Sequence, residues 1–348
     1  MRAALALSLP LALLAFAGDS RAADDGVVVV KLASVAPIDS PWEIKLQEFK
    51  KKAEAAANGK LKVKIFAGGA LGDENDTVLA TKRGQIHAVG ASTGAIASQI
   101  PELNVLELPY LFRSLEEADH ILDNVIKADV AKYADARGLH FGFWSENGFR
   151  SFGGKFKVTK PEDLKGRKMR SQESPIHLAM YRAYGASPVP IPTTEALTAL
   201  QTGNVEGYDQ APLYLFAASW HTASSNYSVT DHIYQPAAIV YNKAAWDSWS
   251  PEIRKALDDA AAAVQMDLRK QVRALTPILL KNLNDTGVAV NVLTAEERAP
   301  FAKIAEGARA EYMKKASKGE KALHGKIEKG LADFRAGNRP SPSVRRPQ

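Results

Sequence analysis

From Val27 onward, short apolar runs alternate with amphipathic stretches, and this rhythm sets the expected architecture. Val27-Val28-Val29-Val30-Lys31-Leu32 is a nearly continuous apolar run, the pattern of a strand covered on both faces of a parallel sheet. Ser40-Pro41-Trp42-Glu43 then combines a capping serine, a first-turn proline and a capping-box glutamate. Ile44, Leu46, Phe49 and Ala53 carry that helix to a stop at Asn58-Gly59. Residues 61–66 alternate with period two and predict a strand. A helix around Leu79 ends at Gly84, and 86–89 is a short strand. Strand–helix alternation of this kind predicts an α/β sheet with helical crossovers.

The alternation continues through a Ser114-Leu115-Glu116-Glu117 capping box to a strand at 139–144, with a break at Asn147-Gly148 where a second α/β unit begins. That unit holds a strand closing at 189–192, a helix at 194–201 and a strand at 205–209. Beyond Asp231 the texture becomes mostly helical. Ile253, Leu257, Val264, Leu268, Val272 and Leu275 follow Ser250-Pro251-Glu252 at helical spacing. Over 251–276 this helix would be about 39 Å long, enough to brace two lobes, and Pro277 is expected to end or kink it. Thr294-Ala295-Glu296-Glu297 opens a late helix, and a disordered tail is expected from Ala336 on.

Arg2, the apolar run 3–17 and the small-residue stretch Ser20-Arg21-Ala22-Ala23 predict a secretory signal, cleaved best after Ala22. The run is shorter than the roughly 20 residues of a spanning helix. The expected organisation is a signal at 1–22, lobe I at 23–146, lobe II at 147–231, a return segment at 232–250, the bracing and C-terminal helices at 251–334, and a basic tail at 335–348. The chain has no cysteine, which excludes disulfides, thiolate catalysis and Cys-based metal sites. Of the formal charge of +6, the signal carries +1 and the tail +4, leaving the body at +1. A body so nearly neutral has no electrostatic footprint for nucleic acid.

Three segments offer chemistry. Gly90-Ala91-Ser92-Thr93-Gly94 follows a predicted strand and matches the G-x-S-x-G nucleophile elbow, with His221 or His232 and Asp209 or Asp231 as possible triad partners. Against a secreted serine hydrolase stand the short preceding chain and the lack of an HGGG-type oxyanion segment. A glycine-rich strand end also suits ligand contact through backbone N–H groups and hydroxyls, here Ser92 and Thr93. The seven histidines show no metal-ligand spacing, and no metal or cofactor is expected. The strongest signal is a pair of arginines in apolar company: Arg150, within Phe149-Arg150-Ser151-Phe152, and Arg170, at the end of a predicted strand with Gln172 just beyond. Ligands of open α/β sheets sit at carboxyl strand ends, where a guanidinium fork matches a carboxylate. The competing reading pairs either arginine with an internal acid such as Glu146, Glu173 or Asp209. Tyr208, Asp209 and Gln210 mark a third strand end. Trp144, Phe149, Tyr208, Tyr214 and Trp220 serve equally as site walls or as core.

Five segments together carry a resemblance: Leu71-Gly72-Asp73; Leu106-Glu107-Leu108-Pro109-Tyr110-Leu111-Phe112; Gly148-Phe149-Arg150-Ser151-Phe152; Asp163-Leu164-Lys165-Gly166-Arg167-Lys168-Met169-Arg170; and Leu200-Gln201-Thr202-Gly203-Asn204-Val205-Glu206-Gly207. From about residue 27 to 320 the chain resembles the DctP-type extracytoplasmic solute-binding proteins of tripartite ATP-independent periplasmic (TRAP) transporters. The resemblance implies an α/β, two-lobed periplasmic binding protein fold with a hinge and a long bracing helix. It implies a periplasmic protein, not an enzyme, that binds a small organic mono- or dicarboxylate and delivers it to membrane subunits. It gives Arg170 the ligand carboxylate, Arg150 a supporting or second contact, and Asp209 or Gln210 a polar ligand contact. An acid near the cleft favours a hydroxylated ligand or a bound cation. Where early members carry a histidine near the end of the first strand, this chain has Ala36-Pro37-Ile38-Asp39-Ser40.

Overall fold

The computed structural model describes residues 26–337. The predicted signal at 1–22 and tail residues 338–348 lie outside the described residues. The helices are α1 (Pro41–Ala56), α2 (Glu74–Lys82), α3 (Thr93–Ile96), α4 (Leu115–His120), α5 (Lys127–Asp135), α6 (Pro175–Ala183), α7 (Ala196–Gln201), α8 (Pro212–Ala217), α9 (Lys243–Ser248), α10 (Pro251–Asp285), α11 (Ala295–Lys315) and α12 (Lys318–Gly337). The strands are β1 (Val28–Ser34), β2 (Leu61–Phe66), β3 (Ala88–Ser92), β4 (Leu139–Gly154), β5 (Lys168–Ser171), β6 (Ser187–Pro190), β7 (Gly207–Gln210), β8 (Asn226–Asn242) and β9 (Ala289–Val292). They form one sheet in the order β2-β1-β3-β8-β4-β7-β5-β6, with β9 on β8.

The sheet has two parallel wings joined by two long antiparallel strands. β2, β1 and β3 make one wing, and β7, β5 and β6 the other. Between them β4 and β8 pair along nearly their whole length, with register shifts at Phe141/Phe143, Glu146/Gly148 and Arg150/Phe152. Each wing has apolar clusters of its own. Leu32, Phe49, Leu257 and Val264 belong to the first wing, Met169, Tyr181 and Phe301 to the second. α10 enters both, through Ile253 and Leu257 near its start and Leu283 near its end.

Local signals hold where they concern caps. Ser40 Oγ accepts the Glu43 N–H at 3.3 Å, although the Glu43 carboxylate turns to Gln47 at 2.6 Å. Thr294 and Glu297 form the full box. Five expectations change. The third strand is 88–92, not 86–89, because its partners on β1 and β8 begin at Ala88. Asn147-Gly148 does not break the chain but forms a bulge inside β4, made possible by Gly148 at φ 94°. The segment after Asp231, expected to be helical, is the upper half of the 17-residue β8. Its run Ile233 to Asn242 is buried on both faces, which removes the period-two signal. α10 passes Pro277 and runs 35 residues to Asp285, about 52 Å. Leu279 and Leu283 are buried beyond the proline, and their packing outweighs the lost backbone bond. α12 also reaches Gly337, three residues into the expected tail, where Arg335 binds Glu117 at 2.8 Å.

Candidate functional site

Between the wings, against the β4–β8 crossing, lies a cavity. The first wing supplies the end of β1 and start of α1 (Ser34, Ala36, Pro37, Ser40, Trp42), with Glu74 and Ser92. The second supplies Gln172, Thr193, Gln210, Leu213 and Tyr214, and the crossing strands add Asn147, Arg150 and Gln235. Strand ends converge here because parallel strands on either side point their carboxyl ends at the crossing, the general ligand position of open α/β sheets.

The two arginines have opposite circumstances. Arg150 is 1% exposed and its donors are largely occupied. Nε donates to Asp209 Oδ2 at 2.6 Å, Nη1 to Gln210 and Gln235 at 2.9 and 2.8 Å, and Nη2 to the Asp209 carbonyl. Asp209 is fully buried and also accepts from Tyr181 at 2.8 Å, with His177 and His232 at 3.6 and 3.5 Å. Burial alone would raise the Asp209 carboxyl, but Arg150 and the two histidines hold it well below the usual range. Asp209 was a candidate ligand contact; instead it is the internal counterion of Arg150 and does not line the cavity.

Arg170 is equally buried, yet among the described residues no carboxylate forms a salt bridge with it. Nε donates to the Ile191 carbonyl at 2.9 Å and Nη2 to Thr193 Oγ1 at 3.0 Å, while Nη1 has no partner. Its guanidinium lies 5.2 Å from the centre of the Trp220 ring. Burial, followed by the like charge of Arg150, lowers its pKa. Arg170 sits one hydrogen bond behind the wall, since Thr193 lines the cavity. An uncompensated buried cation is costly, whereas a carboxylate reaching Nη1 would relieve it.

On the opposite wall Glu74, the first residue of α2, accepts Ser92 N–H at 2.8 Å and Ser92 Oγ–H at 2.7 Å. Burial, with Asp73 and Glu107 nearby, pushes its carboxyl up to about 7. Ser92 Oγ also caps α3 and accepts Gln172 Nε2 at 2.8 Å across the cleft. Deeper still, Glu107 meets His177 of the other wing at 2.7 Å, and Gln235 bridges to both Glu107 and Gln172.

These contacts dispose of the nucleophile elbow. The Ser92 hydroxyl is directed at a carboxylate, and its partners are Glu74, Gln172 and Ala95 rather than a histidine. His221 and His232 stack on Phe216 and Phe152 instead. The glycine spacing has a packing cause. A Cβ at Gly90 would lie 2.7 Å from Ile239, and one at Gly94 would lie 2.9 Å from both Gln172 and Glu107.

Of the predicted site residues, the structure brings Arg150, Gln210, Ser92, Gln172 and Tyr214 to the cavity. Thr93 is turned to Glu107 and the Pro236 carbonyl. Trp144 donates to the Leu122 carbonyl within the first-wing core, Phe149 packs on Tyr234, and Tyr208 packs edge-on to Trp220. These three aromatic side chains are packing residues. Sequence reasoning missed Trp42, Glu74, Asn147, Thr193 and Gln235. Glu74 directly follows Leu71-Gly72-Asp73, Asn147 directly precedes Gly148-Phe149-Arg150, and Trp42 lies inside the Ser40-Pro41-Trp42-Glu43 helix start.

Residues 32–316 match the family described as bacterial extracellular solute-binding protein, family 7, DctP. A solute-binding protein of Verminephrobacter eiseniae (strain EF01-2) is 34% identical over 219 residues, 63% of this chain and 65% of that protein. The sugar acid binding protein DctPAm of Advenella mimigardefordensis strain DPN7T, solved with galactonate, is 27% identical with a TM-score of 0.83. That likeness covers 87% of this chain and 99% of the other. A TRAP periplasmic solute binding protein of Citrobacter koseri, solved with D-glucuronate, is 29% identical with a TM-score of 0.80, over 87% and 99% of the two chains.

Proposed function

The chain belongs to the bacterial extracellular solute-binding proteins of family 7, and on that footing we propose that it captures a small organic carboxylate for a TRAP transporter. The observation that carries this reading is Arg170, a buried guanidinium with an unpartnered Nη1 and no ion-paired acid, beside a cavity walled by amides and hydroxyls. The ligand carboxylate takes the place of the missing counterion, bound by Arg170 with Thr193, while Arg150 presents the remaining polar edge. The wings close on the ligand about the bulged β4–β8 crossing, with α10 as the brace, and the loaded protein delivers it to membrane subunits. Residues 1–22 direct export to the periplasm and are removed after Ala22, so the exported protein begins at Ala23. The role is capture without turnover.

A thermal-shift screen of organic acids against the exported protein tests the proposal. A ligand at one hundred times its Kd stabilises the native state by about 2.7 kcal/mol, which raises Tm by roughly 4 °C in a chain of this size. Carboxylates of suitable size are expected to produce that shift and their methyl esters none. A broad screen in which no carboxylate raises Tm, or in which esters do so equally, would overturn the assignment.

A further inference from the structure

We propose that Glu74 makes this cavity selective for polyhydroxylated monocarboxylates, the aldonate and uronate class, and excludes dicarboxylates. The inference rests on the reading above, in which Arg170 takes one carboxylate, and concerns what the rest of the cavity accepts.

Among the described residues that line the cavity, Arg150 is the only cation and Glu74 the only acid. Arg150 has its charge offset by Asp209 at 2.6 Å and four of its bonds made within the protein. Of the two arginines at the site, only Arg170, behind Thr193, has no salt bridge to a carboxylate among the described residues, so the site offers one anion position and not two. A second ligand carboxylate would gain no free guanidinium and would face a buried carboxylate in a poorly screened space. Like charges so placed repel strongly.

A hydroxylated ligand finds the opposite. Each Glu74 oxygen accepts one bond from Ser92, and a carboxylate oxygen has capacity for more, so Glu74 can accept a ligand hydroxyl. Ser34 and Ser40 each accept a backbone N–H, from Ala36 at 3.1 Å and Glu43 at 3.3 Å, which leaves their own protons for ligand oxygens. Tyr214, Gln210 and Asn147 add further polar groups. A wall with both acceptors and donors suits hydroxyls, which need both. Burial pushes the Glu74 carboxyl up to about 7 against the pull of the α2 N-terminus, so the selecting charge is present at pH 8.

The test is calorimetric titration of the exported protein at pH 8 with D-gluconate, D-galactonate, D-glucuronate, succinate and L-malate. The proposal expects at least one sugar acid to bind ten-fold or more tightly than either dicarboxylate. It further expects Glu74→Gln to lose about ten-fold for that sugar acid and to gain for dicarboxylates, moving the ratio at least thirty-fold. Glu74→Asp keeps the charge and is expected to keep the exclusion. Dicarboxylate binding by the unaltered protein equal to or tighter than that of every sugar acid, or an unmoved ratio in folded Glu74→Gln, overturns the inference and leaves carboxylate capture standing. Binding of neither class by the unaltered protein overturns both.

Discussion

Replacing Arg170 with methionine keeps most of the side-chain volume but removes a cation that no protein carboxylate pairs with. In the empty protein this deletes two hydrogen bonds, to the Ile191 carbonyl and Thr193 Oγ1, together worth about 2 kcal/mol. It also abolishes the desolvation cost of an uncompensated guanidinium, several kcal/mol in the opposite sense. The second outweighs the first, so the ligand-free Tm is expected to hold or rise. Binding is affected differently. The ligand carboxylate would be buried without its charge partner, at a cost of about 3–5 kcal/mol, or roughly two to three and a half powers of ten in Kd. Arg150→Met is the contrasting case. It strands Asp209, which is fully buried and has no other guanidinium in salt-bridge contact among the described residues, and is expected to destabilise the empty protein by about 3–5 kcal/mol. Thermal and urea melts of the two variants without ligand, followed by calorimetric titration with a tight-binding acid, separate the two roles. Equal destabilisation by both substitutions would make Arg170 a structural residue, and Kd within ten-fold of the unaltered protein in Arg170→Met would refute its part in binding.

Two further outcomes follow from the same geometry. The Glu74 carboxyl titrates near 7 in the folded protein against an ordinary 4.5, so folding favours its protonated form. Its contribution is fully present below pH 4.5 and is lost as pH rises through 7, a change of about 3 kcal/mol. Relative to Glu74→Gln, the unaltered ligand-free protein is therefore expected to lose Tm steadily from pH 5 to 8; parallel pH profiles would contradict this. In Gly94→Ala the new Cβ would sit 2.9 Å from Gln172 Nε2 and Glu107 Oε2, an overpacking that costs about 1–3 kcal/mol. Melts are expected to show that loss together with weakened ligand binding, because Gln172 is both displaced and part of the wall; an unchanged Tm would undo the packing account of the Gly90–Gly94 spacing.

The caps and the parallel strands were legible because their signals are local. Ser40, Ser250 and Thr294 each accept the backbone N–H that their spacing announces. The long strands were not. β8 is buried on both faces and lacks alternation, and Asn147-Gly148 carries the residues of a turn but forms a bulge. Pro277 illustrates the same limit, since the packing of Leu279 and Leu283 is decided by distant chain. In the site, the arginines stood out as charges among aromatic and apolar residues, but their separate roles depend on Asp209, which lies 59 positions from Arg150 in sequence. Gln235 has no local signal, and the segments that hold Asn147 and Trp42 announce a turn and a helix start, not a site. Only the crossing of β4 and β8, with the α1 start above it, makes them neighbours.

The bonds that bridge the cleft and the charge left inside it are of comparable size, and that comparison bears on how binding is coupled to closure. Gln172 to Ser92, Thr194 N–H to Asp73, Asn75 to Glu173 and His177 to Glu107 join the two wings at 2.8, 3.2, 3.0 and 2.7 Å. Uncharged bonds are worth about 1 kcal/mol each and charge-assisted ones about 1.5–3, so the set contributes about 6 kcal/mol. Against it stands the burial of Arg170 without a counterion, also several kcal/mol. Neither side dominates. A carboxylate that pairs with Arg170 removes the opposing cost only in the bridged form, and this differential affinity is what shifts a two-state equilibrium. A neutral molecule of the same shape fills the cavity but leaves the cation unpaired, and so gains no closure from it.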